Sequence, residues 1–205
     1  MTNQRRAERI YLTAKTRMVA EERARSLSAF LNGLTAWYAF CLIAISVANL
    51  GGGLRHGMIE FSSTLLSIAV FGVSLFLLGG RISQRAEDHR RCYLGLKSIY
   101  HSSASDDEKM AAYDSELEKY PNHKPIDFDL MIAAASSRNQ KLWNDEGEVE
   151  LTEEIRERVK RFKRLQVTAA VLAAILPAIL FLVSYSLSSV QMDTEQAPIG
   201  KLDKS

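Results

Sequence analysis

Charge is missing from three long stretches of this sequence. Ser26 to Leu54, Phe61 to Gly80 and Leu165 to Met192 carry no Asp, Glu, Lys or Arg over 29, 20 and 28 residues. A soluble fold of this length has little use for three such runs with charges crowded at their ends. About 20 apolar residues in a helix, at about 1.5 Å each, cover the roughly 30 Å hydrocarbon core of a bilayer. Lipid offers no hydrogen bonds, so the backbone must pair within each segment, which selects helices. The near-zero mean hydropathy of the whole chain conceals this segregation.

Other absences narrow the reading further. The two cysteines, Cys41 and Cys92, give no disulfide framework and are expected to be reduced and packed. No strand-like alternation and no internal repeat is present. His89, Cys92, His101 and His123 match no zinc spacing, so no metal site is expected. Gly51, Gly52 and Gly53 precede no P-loop lysine, so there is no phosphate-cradling loop. No set of acids or histidines suggests catalysis, and the protein is read as having neither enzymatic activity nor a cofactor. Aromatics are not interleaved among the basic residues, so direct nucleic-acid binding is not expected.

The charges that are present fix an expected topology. Lys and Arg number seven in residues 1–25, one in the loop after the first span, sixteen in 81–164 and two in the tail. Basic flanks stay cytoplasmic, so the N-terminus and 81–164 are expected inside and the C-terminus outside. A segment of 25 residues, ten of them charged, precedes the first apolar run, which suits a retained anchor rather than a cleaved leader. The expected fold class is all-α: an integral membrane helical protein with a transmembrane hairpin, cytoplasmic helices and a third, C-terminal transmembrane helix. Its parts are a basic N-terminal helix (1–29), the hairpin (30–80, spans about 30–50 and 61–80), a cytoplasmic helical segment (81–164), a third span (165–190) and a disordered tail (191–205). Within 81–164, helices are expected over Asp106–Lys119 and Asp127–Leu142. A further helix, capped by Thr152, is expected to run into the third span.

Several patterns could carry function. Phe71, Leu75, Leu78, Ile82, Ala86, His89, Tyr93, Leu96 and Tyr100 recur at intervals of three and four. They make a nearly heptad seam on a helix expected to continue past Arg81. The seam would hold subunits together, or pack on the chain's own N-terminal or third-span helix. Ser63, Ser67, Ser74 and Arg81 fall within about 40° of one another at about 100° per residue. Asn32, Thr35, Ser46 and Asn49 cluster within about 100° on the first span. Both faces could line a water-filled pore, or make ordinary interhelical hydrogen bonds. Ala170, Ala174 and Ala178 offer a close-packing face on the third span. Pro177 removes one helical hydrogen bond there, which is tolerated if a neighbour satisfies the freed carbonyl. Arg17, Glu21 and Arg25 are spaced to pair along the N-terminal helix.

Four stretches together resemble the SLATT family of two-span membrane effectors from bacterial conflict systems. They are RIYLTAKTRMVAEERA (Arg9–Ala24), AWYAF (Ala36–Phe40), RAEDHRRCYLGLKSIY (Arg85–Tyr100) and YDSELEKYPNHKPIDFDL (Tyr113–Leu130), in the same order of parts. The resemblance implies a pore-forming antiphage effector in the bacterial inner membrane. On this reading the chain forms a homo-oligomer in the lipid bilayer, and a cytoplasmic partner protein or nucleotide signal triggers it through 81–164. The alternative is a membrane-anchored adaptor that forms no pore and recruits a cytoplasmic enzyme, such as a nucleotide-signal synthase or a reverse transcriptase. The third span departs from the two-span core and is read as an addition or a subgroup feature.

Overall fold

The structure is a computed structural model, described over residues 3–50, 56–79, 81–144 and 147–195. Side chains at 48–50, at Leu78, at Phe181 and beyond Val183 are among those not described. The chain is an all-helical membrane protein. Among the described residues six helices follow one another: α1 (Asn3–Leu50), α2 (His56–Gly79), α3 (Ile82–His101), α4 (Asp106–Glu118), α5 (Pro125–Ser137) and α6 (Glu153–Glu195). Among the described residues the only strand-like feature is an isolated bridge between Trp143 and Glu148. Among the described residues three helical stretches, within Arg6–Val47, Ser63–His101 and Glu153–Leu180, are long and apolar enough to cross a membrane.

Local chemistry sets the helix ends. Ser105 and Glu108 form a reciprocal capping box at the start of α4, with the Ser105 N–H donating to Glu108 at 2.9 Å. That bond holds the Glu108 carboxyl below its ordinary pKa range. Pro125 opens α5, where the Asp127 carboxylate accepts from the Lys124 N–H at 2.9 Å. The Thr152 hydroxyl accepts from the Ile155 N–H at 3.3 Å, and Glu153 and Glu154 fill the first turn of α6. α5 stops at Ser137, short of the expected Leu142, and Asn139 follows in the left-handed region at φ 54°.

Two further boundaries differ from expectation. The helix of the second span does not run on past Arg81. α2 ends at Gly79, Arg81 takes φ 45° and ψ 33°, and α3 begins at Ile82. A non-glycine residue in that region is strained by about 1–2 kcal/mol, and an α-helix cannot pass through it. At its other end, α6 includes residues 191–195, which the sequence placed in the tail.

The chain divides into two compact units. The first comprises residues 1–30 and 79–168, the second 31–78 and 169–205. In the first unit, the N-terminal part of α1 is covered on two sides. Ile10 packs with Cys92, Leu96 and Tyr113 of α3 and α4, while Leu12 packs with Met131, Ile132, Ala135 and Leu142. α3 and α4 approach closely at Gly95, where a Cβ would lie 2.8 Å from the Glu116 Cδ. In the second unit, Leu34, Tyr38 and Ile45 of α1 pack with Leu66 of α2 and Ala173 of α6. The outward faces remain apolar, with Phe40, Ile43, Ile68, Phe71, Leu172 and Leu182 among the exposed side chains. Such surface is stable facing lipid and would be a liability in water.

Pro177 shows how the second unit meets the demands of lipid. Proline has no N–H, so the carbonyl four residues earlier, that of Ala173, loses its helical donor. The Tyr38 hydroxyl donates to that carbonyl at 2.7 Å, and the Trp37 indole N–H donates to Ala174 at 3.0 Å. The packing face of α6 is therefore centred on Ala173 and the buried Pro177, whereas Ala174 and Ala178 are exposed.

Candidate functional site

The first unit contains a buried polar network. Arg17 of α1 is 0% exposed and would be expensive to desolvate without partners. Its Nη1 donates to the Pro121 carbonyl and, at 3.3 Å, to His89 Nδ1; its Nη2 donates to Asn122 at 3.3 Å. A guanidinium can only donate, so His89 accepts through Nδ1 and is neutral. Arg17 thereby ties the Tyr120–His123 segment and α3 to α1. Two turns along, Arg23 holds the fully buried Asp127 through bonds of 2.5 and 3.1 Å. On α6, Arg158 grips Asp129 with bonds of 2.9 and 3.1 Å. Such bidentate pairs fix orientation as well as charge.

Both histidines of the network are pushed below their ordinary pKa. Burial is the largest cause for His89, followed by the charge of Arg17, with Asp127 opposing. The same order of causes acts on His123. The Arg17 Nε and the His123 Nδ1 are buried with no hydrogen-bond partner among the described residues. His123 lines a cavity of about 200 Å³ with Arg9, Leu12, Thr13, Thr16, Phe128 and Asn144.

A second feature is a groove between α1 and α3. Tyr11, Ala14, Lys15 and Met18 recur at helical spacing on one wall; Tyr93, Lys97, Tyr100 and His101 form the other. The groove encloses about 340 Å³. The Tyr11 and Tyr100 rings lie 6.0 Å apart at 45°, and the Lys15 ammonium sits 5.5 Å from the Tyr11 ring centre. Among the described residues no carboxylate lines it.

The residues singled out from sequence fall into distinct settings. In the seam, Ile82, Ala86, His89 and Leu96 are buried within the first unit, Tyr93 is half-buried, and Phe71 and Leu75 are exposed in the second. The Leu78 side chain lies outside the described residues. Leu96 packs on Ile10, so this part of the seam meets the chain's own N-terminal helix. On the polar faces, the Thr35, Ser46, Ser67 and Ser74 hydroxyls donate to the carbonyls of Leu31, Leu42, Ser63 and Val70, each four residues back. Such hydroxyls are satisfied within their own helix. Ser63 is half-buried and Asn32 exposed, while the Asn49 side chain and Gly51–Gly53 lie outside the described residues. Arg81 is exposed in the break after α2, so it does not extend the Ser63–Ser74 face. Arg25 pairs with Glu21 at 2.6 Å, but Arg17 turns inward instead. No group of three His, Cys, Asp or Glu suited to a metal occurs among the described residues.

The sequence pattern did not point to the inward turn of Arg17, the burial of Asp127 or the tyrosine–lysine groove. A partial signal was available. Thr13, Thr16, Arg17 and Ala20 share one side of a helix that otherwise reads as weakly amphipathic, and that side is the one that becomes covered.

Over residues 3–188 the chain matches the model of a family described as SMODS and SLOG-associating 2TM effector domain family 5. The match extends across the third apolar helix, which therefore lies within the pattern of this family rather than outside it. No curated protein and no solved structure matches the chain.

Proposed function

The chain belongs to this SMODS and SLOG-associating 2TM effector family, and on that premise we propose that it is an oligomeric effector that permeabilises the bacterial inner membrane when triggered. In this reading the N-terminus and residues 81–164 are cytoplasmic and the C-terminus is outside, as the distribution of Lys and Arg favours. The first unit receives the trigger and the second carries out the effect. The observation that carries this reading is connectivity. α1 and α6 are each one continuous helix contributing residues to both units, so a change in the first reaches helices of the second directly. A trigger shifts closed to open only by binding the two states differently. The test is dye efflux from vesicles holding the purified chain, with loss of membrane potential on induced expression beside its activated partner. Efflux and depolarisation are expected; intact vesicles and normal growth would refute it.

One observation favours a second reading, a membrane-anchored adaptor that recruits a cytoplasmic enzyme. The Ser and Thr hydroxyls of the spans are satisfied by their own helices, so they do not require a water-filled lumen. An adaptor leaks no dye but co-purifies with its enzyme.

A further inference from the structure

We propose that the groove between α1 and α3 binds a planar aromatic ring carrying a phosphate, the chemistry of a nucleotide unit. The binding claim stands on the groove itself; only its consequence at the membrane rests on the effector reading above.

Three observations converge. The first is the aromatic lining: Tyr11 and Tyr100 remain 38% and 37% exposed and line the groove, while their neighbours Ile10 and Leu96 are buried in the core. Exposed tyrosine faces on a concave wall are stacking surfaces for a flat ring. The second is uncompensated charge. Lys15 and Lys97 line the groove, and neither makes an ion pair among the described residues. Elsewhere in this unit Arg6, Arg23, Arg158 and Lys119 each meet a carboxylate. Two ammonium groups that meet no carboxylate, one of them resting over the Tyr11 ring, with no acid among the described lining residues, favour an anion. The third is size. The groove holds about 340 Å³, within the usual range of about 300–1,000 Å³ for small-molecule sites. An adjoining shallow cavity shares Lys97 and His101, leaving room for a sugar or a second phosphate. A lipid headgroup would supply the phosphate but no ring for the tyrosines.

The experiment is equilibrium dialysis of the full chain in detergent micelles with radiolabelled mononucleotides and linear dinucleotides. Adenosine, ribose 5-phosphate and inorganic phosphate serve as competitors. Saturable binding is expected, with each competitor at least about tenfold weaker than the matching nucleotide (about 1.4 kcal/mol). Lys97→Glu, at an exposed position, and Tyr11→Leu should each weaken binding by about tenfold or more. An unchanged melting temperature for Lys97→Glu separates lost binding from lost fold. Absence of saturable binding overturns the proposal. So does binding that Lys97→Glu leaves intact, or equal binding of ribose 5-phosphate, which would mean an anion site without a ring. Dye efflux from vesicles is measured in parallel. Binding without efflux keeps the groove and refutes the pore; efflux without binding does the reverse.

Discussion

Replacing Tyr38 by Phe removes a single hydroxyl, and the position of Pro177 makes its effect calculable. The hydroxyl donates to the Ala173 carbonyl at 2.7 Å, and that carbonyl has no helical donor because Pro177 occupies the position four residues on. An ordinary interhelical hydrogen bond between membrane helices contributes about 0.6 kcal/mol on average, because the separated helices find other partners. Here Pro177 supplies no N–H and lipid offers no donor, so the cost should approach that of an unsatisfied buried acceptor, about 1–3 kcal/mol. Pro177→Ala supplies an N–H to the same carbonyl. In that background Tyr38→Phe should cost only about 0.5 kcal/mol, leaving a coupling of about 1 kcal/mol or more. The assay is a double-mutant cycle on reversible unfolding in mixed micelles, read by helical circular dichroism. Equal costs for Tyr38→Phe in both backgrounds would show that the hydroxyl does not substitute for the missing N–H, and the argument would fall.

Three further outcomes are expected. Arg17→Ala strips a charged donor from Pro121, Asn122 and His89; each such bond contributes about 1.5–3 kcal/mol, partly offset by relief of the buried charge, so a net loss of about 2–4 kcal/mol is expected. Arg25→Ala, which breaks an exposed i,i+4 pair, should cost under about 0.5 kcal/mol, and similar melting shifts for the two would refute the network's role. Stability should also fall on acidification. The folded-state pKa values of His89 and His123 lie below the ordinary value of 6.5, so between those values and 6.5 the unfolded chain binds more protons. Their contribution is complete above 6.5 and is lost as pH drops toward the folded values; a melting temperature flat from pH 7.5 to about 5 would contradict this. Last, Arg81→Gly should raise the unfolding free energy by up to about 1 kcal/mol by relieving the left-handed conformation, and a loss of stability would indicate that the Arg81 side chain matters more than its backbone strain.

Much of the architecture was present in the sequence because it depends on local chemistry. Three charge-free runs are enough to require helices in lipid; Ser105 and Thr152 mark helix starts through their hydroxyls, and Pro125 through its fixed φ and missing N–H. The need for a donor near Pro177 is equally local, since proline lacks an N–H wherever it sits. What stayed hidden depends on which helix lies beside which. That Tyr38 meets Ala173, that Arg17 turns inward to Pro121 rather than outward to Glu21, and that Tyr11 shares a groove with Tyr100 all join residues far apart in the chain. A 3.6-residue period shows that a helix has a covered side but not what covers it. The seam through Ile82 and Leu96 was a true burial pattern, and only packing showed that in the first unit its cover includes Ile10 of the same chain. The break at Arg81 was hidden for a related reason. Gly79 and Gly80 permit either continuation or interruption of a helix, and only the tertiary structure decides between them.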